Sequence, residues 1–161
     1  MTIKMVLNAL PGALILTLGI LNSAPPTQAE DLKCKLISMM TKIEMNNIED
    51  QKGHVVGIYE RKGITIYDNG EVADESNHGW FDGNEGGGKW QGYCLQTFKD
   101  GSTMMMKYQG TDANDRIVEC TWELIQGTGR FEGIKGKGIM TGDFYGKFEN
   151  SIISGTYTVK K

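Results

Sequence analysis

Apolar and polar side chains alternate with a period of two along many short stretches of the chain from Cys34 onward. This spacing predicts β-strands, because successive side chains of a strand point to opposite faces. No window of about a dozen residues keeps a helical spacing, although residues 34–45 are rich in methionine and could begin as a helix. The predicted strands are residues 35–45, 54–60, 64–67, 89–98, 102–109, 116–125, 134–141 and 152–159, with a short extra run at 144–148.

Turn residues separate these strands at 68–70, 99–101 and 112–114, where Asn, Asp and Gly tolerate positive φ. Short connections predict an antiparallel meander in which Cys94 faces Met106 and Met106 faces Cys120. The two cysteines would then lie two strand spacings apart, about 10 Å, which is beyond the ~7 Å reach of a disulfide. This register disfavours a bridge between them and leaves a bridge to Cys34 open.

The predicted faces indicate a closed barrel. Trp122 lies on the apolar side of its strand, and in the next strand Gly136 and Gly138 alternate with lysines and share the side of the apolar residues. Inward glycines make room for a large ring and let strands bend enough to close. Closure also removes exposed sheet edges. The sequence therefore predicts an all-β fold, a single antiparallel closed barrel of about eight strands.

The first 29 residues have the pattern of a cleaved signal peptide. Lys4 is their one charged residue, an apolar run covers residues 10–21, and small residues end at Ala29. We therefore expect residues 1–29 to be a signal peptide, residues 30–161 to be the barrel domain, and the protein to be exported to a periplasmic or extracellular location without a membrane anchor.

The formal net charge of −3 argues against nucleic acid as a partner, because phosphate binding needs a basic surface. Three cysteines in an oxidising compartment allow at most one internal disulfide and leave one thiol over. Homo-oligomerisation is a further expectation for such a barrel.

The run from Gly127 to Gly133, followed by Gly136 and Gly138, resembles the allene oxide cyclase and dirigent barrel superfamily. That resemblance implies an eight-stranded antiparallel barrel with an apolar cavity that holds an oxygenated lipid or a phenolic compound. In that superfamily this motif belongs to the scaffold, so it transfers no catalytic residue to this chain.

A ligand cavity inside the barrel would be lined by large inward side chains. Methionine suits such a place because it adapts its shape, and the same residues would simply form the core if the barrel is packed solid. The predicted ligand-binding residues are Trp90, Met106, Tyr108, Trp122 and Tyr157, with Cys94 and Cys120 nearby.

Other motifs favour no cofactor and no metal. Residues 83–89 have the spacing of a phosphate loop, but Trp90 stands where that loop needs a hydroxyl and no helix follows. His54 and His78 each lack a second metal ligand at the required spacing. The acidic stretch before Lys89 predicts a solvated loop rather than a calcium site, with its aromatic residues folded over the barrel mouth.

Three functions fit this picture, and whether the protein is an enzyme stays open. The first is binding of a small apolar or oxygenated-lipid or phenolic ligand without transforming it. The second is an isomerase or cyclase of the allene oxide cyclase type, against which stands the lack of charge on the predicted inward faces of the late strands. Glu44 and Glu60 are the carboxylates that could enter the barrel. The third is a surface or assembly protein with a filled core.

Overall fold

Eight strands, each antiparallel to the next, make up most of the computed structural model, which describes residues 28–50, 52–84, 86–113 and 116–160. The first and last strands also pair, so the sheet closes on itself. The strands are β1 (Glu30–Asn47), β2 (Val55–Tyr67), β3 (Val72–Asn84), β4 (Gly87–Phe98), β5 (Thr103–Ala113), β6 (Arg116–Thr128), β7 (Lys135–Tyr145) and β8 (Phe148–Thr158).

The predicted all-β fold, a single antiparallel barrel of about eight strands, is confirmed. The predicted signal peptide lies outside the described residues apart from Gln28 and Ala29. In the part of the chain that the structure describes, no helix is long and apolar enough to span a membrane.

The strand count is right only because two errors cancel: β2 was predicted as two strands, and β3 was not predicted as a strand. Residues 54–60 and 64–67 belong to one strand, β2, because Arg61 faces the barrel interior and Gly63 packs closely against the backbone of Ile37 and Ser38. The alternative of a helix at residues 34–45 is also wrong, since this segment lies within β1 and pairs with both β2 and β8.

The acidic segment that was predicted as a solvated loop forms β3. Its inward side chains include Ala73, Glu75 and Asn77, all buried. Because two of these three are polar, the apolar alternation that identifies a strand is missing. Residues 83–89, predicted as a loop, contain the tight hairpin in which Asn84 pairs with Gly87.

The register between β5 and β6 differs from the prediction. Cys94 does face Met106, but Met106 pairs with Leu124, and Cys120 pairs with Gly110. The reason is that β5 continues to Ala113 and the strand pair contains two register shifts. All three cysteines, which lie in the described residues, are buried thiols without a disulfide.

The two ends of the barrel differ. At one end the 3₁₀ turn Gly129–Phe131 places Phe131 against Phe98, with ring centroids 4.8 Å apart. Arg130 stacks on both rings and forms ion pairs with Glu71 and Asp100. These contacts cover that end, whereas the other end is formed by the β1–β2, β3–β4, β5–β6 and β7–β8 connections.

Glycines of β7 and β8 make room for the indole ring of Trp122, as the sequence predicts. A Cβ atom at Gly138 or at Gly155 would lie 2.5 Å from Trp122 Cζ2. The ring is held in place by a hydrogen bond of 3.0 Å from its Nε1 to the Ile139 carbonyl oxygen. Trp122 thus fills one side of the barrel interior.

Candidate functional site

We call the barrel interior the lumen, and we call the end at the β1–β2, β3–β4, β5–β6 and β7–β8 connections the mouth. The lumen holds a cavity of about 300 Å³ near the mouth. The part of its wall nearest the solvent comes from β1 and β2 residues close to the β1–β2 connection, including Ile43, Met45 and Val55. This volume is at the lower end of the range for small-molecule sites, which is roughly 300–1,000 Å³.

Four of the five predicted ligand-binding residues line the lumen: Trp90, Met106, Tyr108 and Trp122. The fifth, Tyr157, lies at the covered end, where its hydroxyl donates a hydrogen bond of 2.6 Å to Glu30 Oε2. Tyr157 lies on the inward face of β8, as predicted, but near the end of this strand that is farther from the cavity. That these residues bind a ligand stays a prediction.

Aromatic rings form one wall of the lumen. The ring of Trp90 lies 5.5 Å from that of Tyr108 and meets Phe144 edge-on at 6.3 Å, as measured between centroids. Trp90 is only 7% exposed. Its Nε1 is the one buried side-chain nitrogen or oxygen of the described residues that has no hydrogen-bond partner, which is a costly state for a polar group.

An ion pair lies deeper in the lumen. Arg61 Nη1 is 3.2 Å from Glu149 Oε2, and both side chains are 5% exposed. Glu149 also accepts hydrogen bonds from Ser38 (3.2 Å) and Ser151 (2.8 Å). The Arg61 guanidinium lies 5.0 Å from the centroid of the Phe144 ring. The carboxylate is therefore well satisfied, as a buried charge must be.

This ion pair corrects the expectation that no charged side chain of the late strands faces the lumen, since Glu149 belongs to β8. The two carboxylates that were expected to enter the lumen do not. Glu44 is exposed and pairs with Lys42 at 2.7 Å, and Glu60 lies between the inward residues Tyr59 and Arg61 and so faces outward.

A chain of hydrogen bonds also crosses the lumen. Tyr108 donates to Asn77 Oδ1 over 2.5 Å, and the hydroxyls of Tyr59 and Tyr108 are 2.9 Å apart. Because the Tyr108 proton is directed at Asn77, Tyr59 is the donor in the pair of hydroxyls. We call Tyr59, Arg61, Asn77, Tyr108 and Glu149 the polar floor of the lumen.

The chain continues below the polar floor. Asn77 reaches Glu75 through a long contact of 3.5 Å, and Thr65 makes a second one of the same length. Gln96 donates to Thr65 over 2.9 Å and accepts a hydrogen bond of 2.6 Å from Tyr67. The long contacts to Glu75 leave its carboxyl group weakly stabilised in the charged form.

Burial, together with the nearby negative charge of Glu149, raises the pKa of Glu75 to about 8, while hydrogen bonds from Asn77 and Cys94 and the charge of Arg61 act in the opposite direction. Burial likewise raises the pKa of Tyr59 to about 12 and that of Tyr108 further. At neutral pH these three groups hold their protons, so none of them carries a negative charge in the barrel interior.

We expect Glu75→Gln to flatten the pH dependence of folding. The Glu75 carboxyl group has a pKa of about 8 in the folded state and about 4.5 in the unfolded state. Its proton therefore stabilises the fold fully below pH 4.5, and this contribution is lost as the pH rises from 4.5 to 8. The free energy of unfolding of the wild type should fall over this range relative to the variant, with a limiting slope of about 1.4 kcal/mol per pH unit.

Urea denaturation at pH 5, 6.5 and 8 measures this difference. Glu123→Gln, on the exposed face of β6, is the matched control and should follow the wild type. If the free energies of unfolding of the wild type and of Glu75→Gln change with pH in the same way, the raised pKa of Glu75 is contradicted.

The three thiols are neutral as well. Burial is the main cause that raises the pKa of Cys34 and of Cys120 to about 12 and that of Cys94 well above its ordinary value. Since the thiolate is the reactive form of cysteine, these side chains act as lumen and core packing rather than as nucleophiles.

Histidine and acidic residues meet at the mouth without forming a metal site. His54 is hydrogen-bonded through Nδ1 to Asp50 and through Nε2 to Asp82, each over 2.7 Å. These bonds raise the pKa of His54. His78 is exposed on the outer face of β3. Within the described ranges, no group of three or more potential metal ligands lies together.

Sequence reasoning missed Arg61, Glu75, Asn77 and Glu149. A signal for Glu149 was available, because Tyr157 was predicted to face inward, and steps of two back along the same strand lead through Ile153 and Ser151 to Glu149. The predicted strand began at residue 152 and so stopped before it reached them.

The fold and the lumen define a class of protein: a small closed barrel of eight antiparallel strands whose lumen has an aromatic wall and a polar floor. Neither a scan against protein-family models nor a search of curated proteins finds a match to this sequence.

Solved structures share the barrel. One is a protein of unknown function from the DUF3224 family of Shewanella oneidensis MR-1, with a TM-score of 0.56 and 10% identity over 83% of this chain and 99% of that one. Another is the pterocarpan synthase dirigent protein PsPTS1, with a TM-score of 0.52 and 13% identity over 83% of this chain and 97% of that one. The resemblance to dirigent-type barrels is thus confirmed for the fold.

Proposed function

We propose that the barrel binds one small, largely apolar ligand in its lumen without transforming it. The observation that carries this proposal is the cavity of about 300 Å³, which is open to solvent at one end and lined by aromatic and aliphatic side chains above a polar floor. Sites for small molecules combine mainly apolar walls with a few polar groups that fix orientation.

Binding of a neutral fluorescent probe tests the proposal. N-phenyl-1-naphthylamine becomes bright in apolar surroundings, and we expect it to bind with a stoichiometry of one per chain. Val55→Trp adds a large ring at the half-buried lumen wall and should weaken probe binding at least tenfold. Ile58→Trp adds the same ring on the outer face of the same strand and should leave the affinity unchanged.

Equal probe affinity in the two variants would contradict binding in the lumen. Native mass spectrometry of the protein purified from its own host complements this titration, because a stoichiometric organic adduct would reveal the class of natural ligand. The same spectrum reads the number of subunits.

A second function is favoured by the protonated carboxyl group of Glu75. A carboxyl with a pKa raised to about 8 is a candidate general acid, and Glu75 lies directly behind Asn77, which lines the lumen. We propose an isomerase or cyclase as this alternative, and one fold neighbour is named a synthase. Native mass spectrometry can identify a natural ligand, and incubation of the protein with that ligand shows whether it is converted. If the wild type converts the ligand, and Glu75→Gln binds it without converting it, the protein is an enzyme rather than a binding protein.

A further inference from the structure

The positive charge among the described lining residues of the lumen is already paired. Among the described lining residues, the charged ones are Arg61, Glu149 and Asp112. The guanidinium of Arg61 pairs with Glu149 at 3.2 Å, and both are almost fully buried. Asp112 lies near the mouth and contributes a negative charge there. The lumen therefore has no surplus positive charge to offer an anion.

The remaining polar groups of the lumen are neutral hydrogen-bonding groups. Tyr59, Tyr108 and Asn77 bond to one another. Glu75, behind Asn77, holds its proton at neutral pH because burial raises its pKa to about 8. An anionic ligand would lose its hydration in this environment and gain no counter-charge, which is strongly unfavourable.

One donor near the lumen wall lacks a partner but does not face the cavity. The ring of Trp90 lines the cavity, whereas its Nε1 is buried and has no acceptor among the described residues. A ligand in the lumen therefore meets the ring of Trp90 and not its N–H group.

We propose that the lumen selects an uncharged ligand and rejects carboxylates of the same shape. This inference rests on the proposed lumen binding and specifies the class of ligand that the lumen takes.

Three bicyclic compounds of similar shape test it. They are 2-acetylnaphthalene, which has an acceptor oxygen, 2-ethylnaphthalene, which has none, and 2-naphthoate, which is an anion. Competition against N-phenyl-1-naphthylamine at pH 7 measures their affinities for the full-length protein. We expect the two neutral compounds to compete and naphthoate to bind at least tenfold more weakly than the ketone.

Glu149→Gln isolates the charge balance, because it leaves Arg61 without its counter-ion. Naphthoate should then gain at least tenfold in affinity, while ethylnaphthalene should not. If circular dichroism shows that this variant does not fold, Val55→Lys adds a positive charge at the half-buried lumen wall instead and should improve naphthoate binding relative to ethylnaphthalene roughly threefold.

The outcomes separate the two proposals. Binding of no compound, including the fluorescent probe, would overturn lumen binding itself. Binding of ethylnaphthalene with naphthoate as the tightest ligand of the three would leave lumen binding intact and overturn the selection for uncharged ligands.

Discussion

Gly138→Ala is expected to destabilise the barrel by at least about 3 kcal/mol, or to prevent folding. A Cβ atom at Gly138 would overlap the carbonyl oxygen of Ser154 and would lie 2.5 Å from Trp122 Cζ2. Neither neighbour can retreat easily, because the carbonyl belongs to the paired strand β8 and the ring is anchored by its bond to Ile139.

Urea denaturation followed by circular dichroism measures this effect. Gly86→Ala is the matched control, since among the described residues a Cβ atom at Gly86 would meet just the side-chain oxygen Asn84 Oδ1, at 3.3 Å. That variant should stay within about 1 kcal/mol of the wild type. If Gly138→Ala is as stable as the wild type, the packing of the Trp122 ring does not require a glycine at position 138.

Arg61→Met is expected to lower the free energy of unfolding by about 3–5 kcal/mol, because it leaves the Glu149 carboxylate buried without its counter-charge. Removing both charges in Arg61→Met/Glu149→Gln should cost less than the sum of the two single changes, because neither variant residue is charged. The difference measures the coupling between the two side chains.

Arg116→Met gives the comparison for an exposed pair. Arg116 is 3.0 Å from Asp143, but its side chain is 76% exposed, so its loss should cost less than about 1 kcal/mol. Similar costs for Arg61→Met and Arg116→Met would show that burial does not set the strength of the lumen pair.

These two expectations concern two different groups of side chains in the interior. The glycines of β7 and β8 admit Trp122 and fill one side, and the ion pair occupies the polar floor. The cavity that remains is bounded by Trp90, Tyr108 and Phe144. Its proposed preference for uncharged ligands follows from the fact that each charge deep in the lumen already has its partner.

The strands that the sequence predicted best are those whose inward side chains are apolar. β4 and β5 alternate cleanly, with Cys94, Met104 and Met106 inward, and their ends differ from the prediction by a few residues. Four of the five predicted ligand-binding residues line the lumen for the same reason: large inward side chains of a small barrel must meet near its axis.

The amino-acid sequence by itself determined the strand class, the antiparallel order and the closure of the barrel, because period-two alternation, short turns and inward glycines are local properties of the chain. Only the tertiary structure decided which polar residues face inward. Glu75 and Glu149 look like solvated residues in the sequence, since a carboxyl group is normally exposed. Their burial depends on Arg61, Asn77 and the serines, which other strands bring within hydrogen-bonding distance, and no local pattern records those distant partners.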